Sequence, residues 1–337
     1  MTMPSLAIAV TGLVLLAGAA KAADLPMTYL AADGAWNERV LPLTRGVLIL
    51  CLAVIAIIAL LVLVGVLSRA RFVAIRDVPL TDSRATRWIA IGTGISTVVL
   101  LGFIGWNSVT MARVANPPSE PALTIQVRGH QWWWEFIYQN KDQSQIFTTA
   151  NELHIPVGKP VRFAIESADV IHSFWIPRLG GKTDTIPGQT NVAWLEADHP
   201  GVFRGQCSQY CGQEHARMAL AVYADTPAAF DAWRKAQLAD APQPASAGVR
   251  VGEEVFIERC GACHTVRGTT AMGHVGPDLT HLMSRNTIAA GMLPNNPGYL
   301  SGWIANPQAM KPGALMPRPE LTGPDLASVR SFLLTLK

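Results

Sequence analysis

Two short stretches of this chain concentrate the residue types that hold redox metals. Cys207-Ser-Gln-Tyr-Cys211-Gly-Gln-Glu-His215-Ala-Arg-Met218 sets two thiols, an imidazole and a thioether within 12 residues. His172 stands 35 residues upstream, at the end of Asp169-Val-Ile-His172. Soft thiolates with imidazole and a weak thioether select copper. A mononuclear copper site needs only one cysteine. Two cysteines can bridge two copper ions, each ion taking one histidine, with Met218 and a backbone carbonyl in the weak positions. A Cys207–Cys211 disulfide would leave His215 and Met218 without a role. Zinc would suit two cysteines and two histidines, but Met218 tips the choice to copper.

The second stretch, Cys260-Gly-Ala-Cys263-His264, is the attachment pattern of a c-type haem. Two thiols form thioethers with the haem vinyl groups, and the adjacent histidine is forced under the iron. A zinc site would need further Cys or His at ligand spacing, and only His274 and His281 follow. The sixth ligand must come from farther along the chain. Met316, in Pro312-Gly-Ala-Leu-Met316-Pro317, is the best candidate; Met272, Met283, Met292 and Met310 each lack the following proline. Histidine–methionine ligation raises a haem potential and leaves no open iron position, which suits electron transfer.

These sites need elements to carry them, and the sequence separates into three kinds of segment. Leu6 to Ala20 is a 15-residue apolar run followed by Ala20-Lys21-Ala22, so residues 1–22 read as a signal peptide and 23–45 as an extracytoplasmic segment. Gly46 to Leu67 and Trp88 to Thr110 are 22 and 23 residues without a charge. Each is long enough to cross a hydrocarbon core of about 30 Å as a helix, giving a transmembrane hairpin over 46–67 and 88–110. Its connecting loop, 68–87, carries Arg69, Arg71, Arg76, Arg84 and Arg87 against Asp77 and Asp82, which places the loop in the cytoplasm and both sites outside it. Cys51, inside the first run, reads as a buried thiol.

From Leu123 the apolar residues recur every second position: Leu123, Ile125 and Val127, then Val161, Phe163 and Ile165. With further short β-like stretches at 190–196, 201–206 and 218–223, residues 118–225 read as an all-β sandwich. Residues 226–248 include Ala241-Pro-Gln-Pro-Ala-Ser-Ala-Gly248 and read as a linker. Residues 249–337 turn helical. Thr322-Gly-Pro-Asp325 has capping-box spacing before the apolar stripe of Leu326, Val329, Phe332, Leu333 and Leu336.

Half of the 337 residues are hydrophobic and 15% are charged, too apolar for an ordinary soluble chain. The net charge of +3, with no basic cluster interleaved with aromatics, excludes nucleic acid as a partner.

On these motifs the region from about Val127 to Tyr223 resembles the CuA domain of cytochrome c oxidase subunit II, a cupredoxin fold. Gly248 to the C-terminus resembles class I cytochromes c. Gly129-His-Gln-Trp-Trp-Trp134 matches the aromatic segment of the first family, and Leu179-Gly-Gly-Lys182-Thr-Asp184-Thr-Ile-Pro187-Gly188 its loop facing subunit I. Gly276-Pro-Asp-Leu279 and Leu300-Ser-Gly-Trp303-Ile-Ala-Asn-Pro307 match segments of the second. The resemblance implies a caa-type haem–copper oxidase subunit with dinuclear CuA held by His172, Cys207, the Gln209 carbonyl, Cys211, His215 and Met218. It implies haem c on Cys260 and Cys263 with His264 and Met316 as axial ligands, and the Pro277 carbonyl orienting the histidine. Trp132 falls where the family accepts electrons from cytochrome c. Partners implied are subunit I, which reduces dioxygen and pumps protons, subunit III and a cytochrome c or other donor.

Two departures stand out. Gln209 replaces a glutamate that in the family helps bind Mg beside the residue matching Asp184, and an amide is the weaker hard-cation ligand. Ala85, three residues before Trp88, stands where many members carry a glutamate near a proton channel. Rival readings are a CuA-bearing nitric oxide reductase subunit and a copper carrier. The carrier has no reason to hold a haem. His130 is expected to pack within the aromatic segment, and His154, His199 and Asp169 read as surface residues.

Overall fold

The computed structural model describes residues 27–67 and 83–337; the expected signal peptide and most of the expected cytoplasmic loop lie outside the described residues. The chain divides into two compact units, residues 38–116 and the remainder.

The smaller unit is a helical pair, α1 (Ala35–Leu67) and α2 (Ser83–Val114). Both helices overrun the uncharged stretches that announce them, because a helix continues beyond the hydrocarbon-length core wherever no breaker intervenes. Both are long and apolar enough to cross a membrane. Gly46 lets them approach: a β-carbon there would stand 2.7 Å from the Trp106 ring. Cys51 is exposed on α1 and not buried as expected, since its apolar neighbours Leu48, Ile49, Leu52 and Ile55 also face outward. An apolar run of this length has no need of a protein core around it.

The larger unit begins with residues 28–37, which run along the β-sandwich. Asp33 pairs with Arg178 and His199, and the Asn37 amide donates to the Pro177 carbonyl. The sandwich sets a five-stranded sheet, ordered β3 (Phe147–Ala150), β2 (Trp133–Gln139), β1 (Leu123–His130), β5 (Val161–Ser167) and β8 (Asn191–Leu195), over a three-stranded sheet. The latter is ordered β4 (Glu152–Pro156), β10 (Ala219–Asp225) and β9 (Gly201–Gln206). Strand alternation builds the core: Ile125 and Val127, Trp134 and Phe136, and Phe163 and Ile165 all point inward, with Leu153, Phe203 and Val222 facing them from the second sheet. A hairpin, β6 (His172–Phe174) with β7 (Thr183–Thr185), closes the end where the cysteines lie.

The expected linker is not unstructured. Pro227–Gln237 forms helix α3, capped by the Thr226 hydroxyl with Pro227 at the first helical position. Phe230 and Trp233, one turn apart, dock it on the sandwich. His154 corrects a second expectation. It is half-buried, its ring stacked on Trp233 at 4.2 Å and on Tyr223 at 4.7 Å, and bonded through Nδ1 to Asp225 at 2.6 Å. His199 stays exposed, and His130 stacks on Trp133 at 4.2 Å.

The C-terminal helical part contains α4 (Ala247–Arg259), α5 (Pro297–Ala305), α6 (Pro307–Met310) and α7 (Gly323–Leu333). Helices α4 and α7 cross at Gly252, where a β-carbon would fall 2.0 Å from the Ser328 carbonyl oxygen. Phe256 and Phe332 pack below the crossing with ring centroids 5.5 Å apart. Thr322 caps α7, accepting from the Asp325 amide and donating to its carboxylate.

Candidate functional site

The first site forms where three elements meet: β6, the loop after β9, and the turn before β10. Cys207 and Cys211 are free thiols, both buried, with sulfurs 3.8 Å apart. Around them lie His215 Nδ1 at 3.6 Å from the Cys211 sulfur, Met218 Sδ at 3.9 Å from the same atom, and the Gln209 carbonyl oxygen at 3.2 Å from the Cys207 sulfur. A ligand atom of His172 and both sulfurs lie within 4.8 Å of one another. The local chain makes this compact: Cys207 N bonds to Met218 O, and Met218 N to His215 O.

Sequence spacing does not reveal the support for His172. Its Nε2 donates to Asp169 at 2.7 Å, and its Nδ1 is buried with no hydrogen-bond partner. An orphaned buried nitrogen aimed at two thiols is costly unless something else uses its lone pair. Two thiols, two imidazoles, a thioether and a carbonyl around that nitrogen therefore fit a soft metal centre, copper above all. The electrostatics agree. Burial opposes the charged form of His172, yet its bond to Asp169 and the neighbouring Cys207 outweigh that and raise its pKa. Burial alone would raise Asp169, but the His172 bond and the Val170 and Gln131 amides hold it below the usual carboxylate range. The contact between the two thiols holds Cys207 low and pushes Cys211 up.

The second site is a cavity of about 480 Å³ in the C-terminal helical part. Cys260, Cys263, His264 and Met316 all line it, and of the methionines the sequence offers only Met316 does so. His264 Nδ1 donates to the Pro277 carbonyl at 2.8 Å, which leaves the lone pair on Nε2. Burial lowers the histidine's pKa, so the imidazole is neutral, as an iron ligand must be. Gly276 is required beside it, because a β-carbon there would lie 2.5 Å from Cε1 of the ring. Gln308 shapes the methionine loop, donating to the Ala314 and Met316 carbonyls and accepting from the Gly313 amide. A flat apolar group of porphyrin size, held by two thioethers, fits this donor set.

The cavity has a wall that the sequence does not announce. His130, Gln131, Trp132, Trp133 and Asp169 of the β-sandwich also line it. Trp132 is buried rather than presented to solvent, and its Nε1 donates to the Cys211 carbonyl at 3.1 Å. The Gln131 amide donates to the same oxygen at 2.7 Å. Asp184 is exposed, and among the described residues no other carboxylate joins it in a metal-binding group.

Fold and sites together define a two-site redox metalloprotein: a β-sandwich with a copper-type cluster, joined to a helical domain built around a haem-attachment motif. Residues 140–225 match the family described as cytochrome c oxidase subunit II, periplasmic domain, and residues 249–337 match cytochrome c. The chain thus carries the periplasmic domain of cytochrome c oxidase subunit II followed by a cytochrome c domain. It is 42% identical over 215 residues to cytochrome c oxidase subunit 2 of Alkalihalophilus pseudofirmus, covering 63% of this chain and 61% of that one. It is 34% identical over 227 residues to the same subunit of Bacillus sp. strain PS3, covering 64% and 62%. The match thus spans about three fifths of the length of these relatives. Among solved structures it is similar to the periplasmic domain of subunit II of cytochrome oxidase of Bradyrhizobium japonicum, at 34% identity and a TM-score of 0.33, covering 35% of this chain and 95% of that one.

Proposed function

We propose that this chain is the subunit through which electrons enter a membrane-bound cytochrome c oxidase, passing from a cytochrome c donor by way of haem c and dinuclear CuA to a haem–copper subunit I. There dioxygen is reduced to water and protons are pumped. The orphaned Nδ1 of His172, set among two thiols, carries this reading. Cys207, Cys211, His172, His215, Met218 and the Gln209 carbonyl would hold the two copper ions. Cys260, Cys263, His264 and Met316 would hold the haem. Bound there, the two groups supply one-electron storage. The protein's part is to keep both sites stiff and dry. Asp169 fixes the His172 ring and its tautomer, Pro277 fixes His264, and burial keeps water from His172, Cys207, Cys211 and Met218. Helices α1 and α2 would anchor the chain as a multi-pass protein of the bacterial cell membrane, with both domains on the extracytoplasmic side and subunits I and III beside it. Mg at Asp184 is left out of the proposal, because Gln209 supplies no carboxylate.

Metal analysis and electron paramagnetic resonance on the full chain, matured with haem and loaded with copper, test this. The expected result is twice as much copper as haem and a hyperfine pattern of one electron shared by two copper nuclei. A single-nucleus pattern would overturn the copper half. Oxygen against nitric oxide consumption by the purified complex separates an oxidase from a reductase.

A further inference from the structure

The contact between the copper domain and the haem domain is built from buried charges. Glu152, on β4 of the copper domain, is 2% exposed, yet no cation of its own domain forms an ion pair with it among the described residues. Its carboxylate instead accepts from the haem domain: the Asn286 amide at 2.9 Å, the Thr287 amide at 2.8 Å and the Thr287 hydroxyl at 2.8 Å. Lys311, in the haem domain, is 3% exposed and reaches the other way. Its ammonium donates to the Trp132 carbonyl at 2.8 Å and the Arg217 carbonyl at 2.9 Å, both in the copper domain.

We infer that Glu152 and Lys311 form a reciprocal lock that seats the haem domain on the copper domain in one register, and that Lys311 is a positioning residue for electron transfer between the two sites. The second clause rests on the proposed function; the lock itself does not.

Each charge lies buried at the contact and is bonded by groups of the opposite domain. A buried charge stripped of its partners is strongly unfavourable, so a shifted register would be heavily penalised. Such groups add little net stability but select one arrangement among many. Burial lowers the Lys311 pKa to about 8, with Glu214 and Cys211 opposing the shift, as expected for a cation held by carbonyls rather than a full counter-ion. Both anchors bear on the sites. Trp132 bonds to the Cys211 carbonyl, Arg217 precedes Met218, and Lys311 begins the loop that ends at Met316. Small residues allow the approach: at Gly313 a β-carbon would stand 2.6 Å from the Gln213 side chain.

The test uses hydrogen exchange on the full-length holoprotein. The Ala219 amide donates across the contact to the Ala290 carbonyl at 3.1 Å and touches neither charged side chain. It therefore reports docking and not the loss of a mutated bond. In a Lys311→Met/Glu152→Gln double variant, exchange at Ala219 is expected to quicken by at least about tenfold, while core amides at Phe163 and Phe332 keep their protection. Unchanged protection at Ala219 would overturn the lock. If the core amides of the double variant lose protection too, the single Lys311→Met variant is judged by the same criterion. Electron transfer after photoreduction of the haem is then compared. Slowed, viscosity-dependent transfer with unaltered haem and copper spectra is expected. An undocked variant with a wild-type rate would overturn the positioning role. A wild-type chain lacking the dinuclear copper signal would sink the proposed function, and the exchange result would still decide the lock.

Discussion

Gly276→Ala should unseat the iron-side histidine, and the structure sets the size of the effect. An added β-carbon would lie 2.5 Å from His264 Cε1, 2.9 Å from Nδ1 and 3.1 Å from Nε2. Comfortable carbon–carbon contact begins near about 3.5 Å, so the ring must move by roughly 1 Å. It cannot move without stretching the 2.8 Å bond from Nδ1 to the Pro277 carbonyl. Overpacking of a close-packed site costs about 1–3 kcal/mol, and stripping a buried donor of its acceptor costs about 1–3 more. The sum, about 2–6 kcal/mol, is a large part of the 5–15 kcal/mol that typically holds a domain together. Denaturant titration of the holoprotein, followed by haem absorbance, should show the midpoint falling accordingly. The same variant should bind external iron ligands more readily, since the histidine is no longer held. Gly248→Ala is the control: it also lies on a helix of this domain, but nothing stands within 4 Å of its added carbon, and it should be neutral or slightly stabilising. A Gly276→Ala midpoint within about 0.5 kcal/mol of wild type would refute the reasoning, because it would mean that the ring was never confined.

Asp169→Asn should weaken copper retention by about 10–100-fold in a chelator competition and raise the copper potential, because the His172 ring loses an anionic partner; unchanged values would count against Asp169 as its support. Gln308→Ala removes bonds to the Ala314 and Met316 carbonyls, and added imidazole should then displace the methionine at roughly tenfold lower concentration, about 1.4 kcal/mol of lost loop stability. Burial first, and the Glu152 charge second, push Tyr223 up to about 12. The folded state then holds a proton that the unfolded chain releases near pH 10, so stability should fall between pH 10 and 12. Tyr223→Phe should flatten that part of a pH-stability curve; an unaltered slope would show that Tyr223 does not contribute.

Much of this was readable from residue types and spacing. The period-2 apolar residues give β1 and β5, and the uncharged runs give α1 and α2, because both patterns report what a segment must bury. The cysteine motifs point to metal and haem chemistry because that chemistry demands those side chains at short spacing. What spacing could not supply is tertiary. His154 has polar neighbours along the chain, yet the fold slides it between Tyr223 and Trp233. Lys311 lies in a Met-Lys-Pro-Gly turn that reads as solvated, and only docking buries it. The helix at Pro227–Gln237 did leave signals, a Thr-Pro cap and Phe230 with Trp233 one turn apart, but a run rich in alanine and proline hides them. Asp169 and Gln308 look like ordinary polar residues, because their roles depend on neighbours that the fold brings within reach.

A crevice walled by two domains owes its shape to both. The cavity bounded by Cys260, Cys263 and His264 on one side is bounded by Gln131, Trp132 and Trp133 on the other. A flat group held there would touch the sandwich as well as the helices. The segment between α3 and α4 joins the two walls. Arg267 and His281 hold it at the Ala239 carbonyl, so the connection between the walls is itself tied to the helical domain.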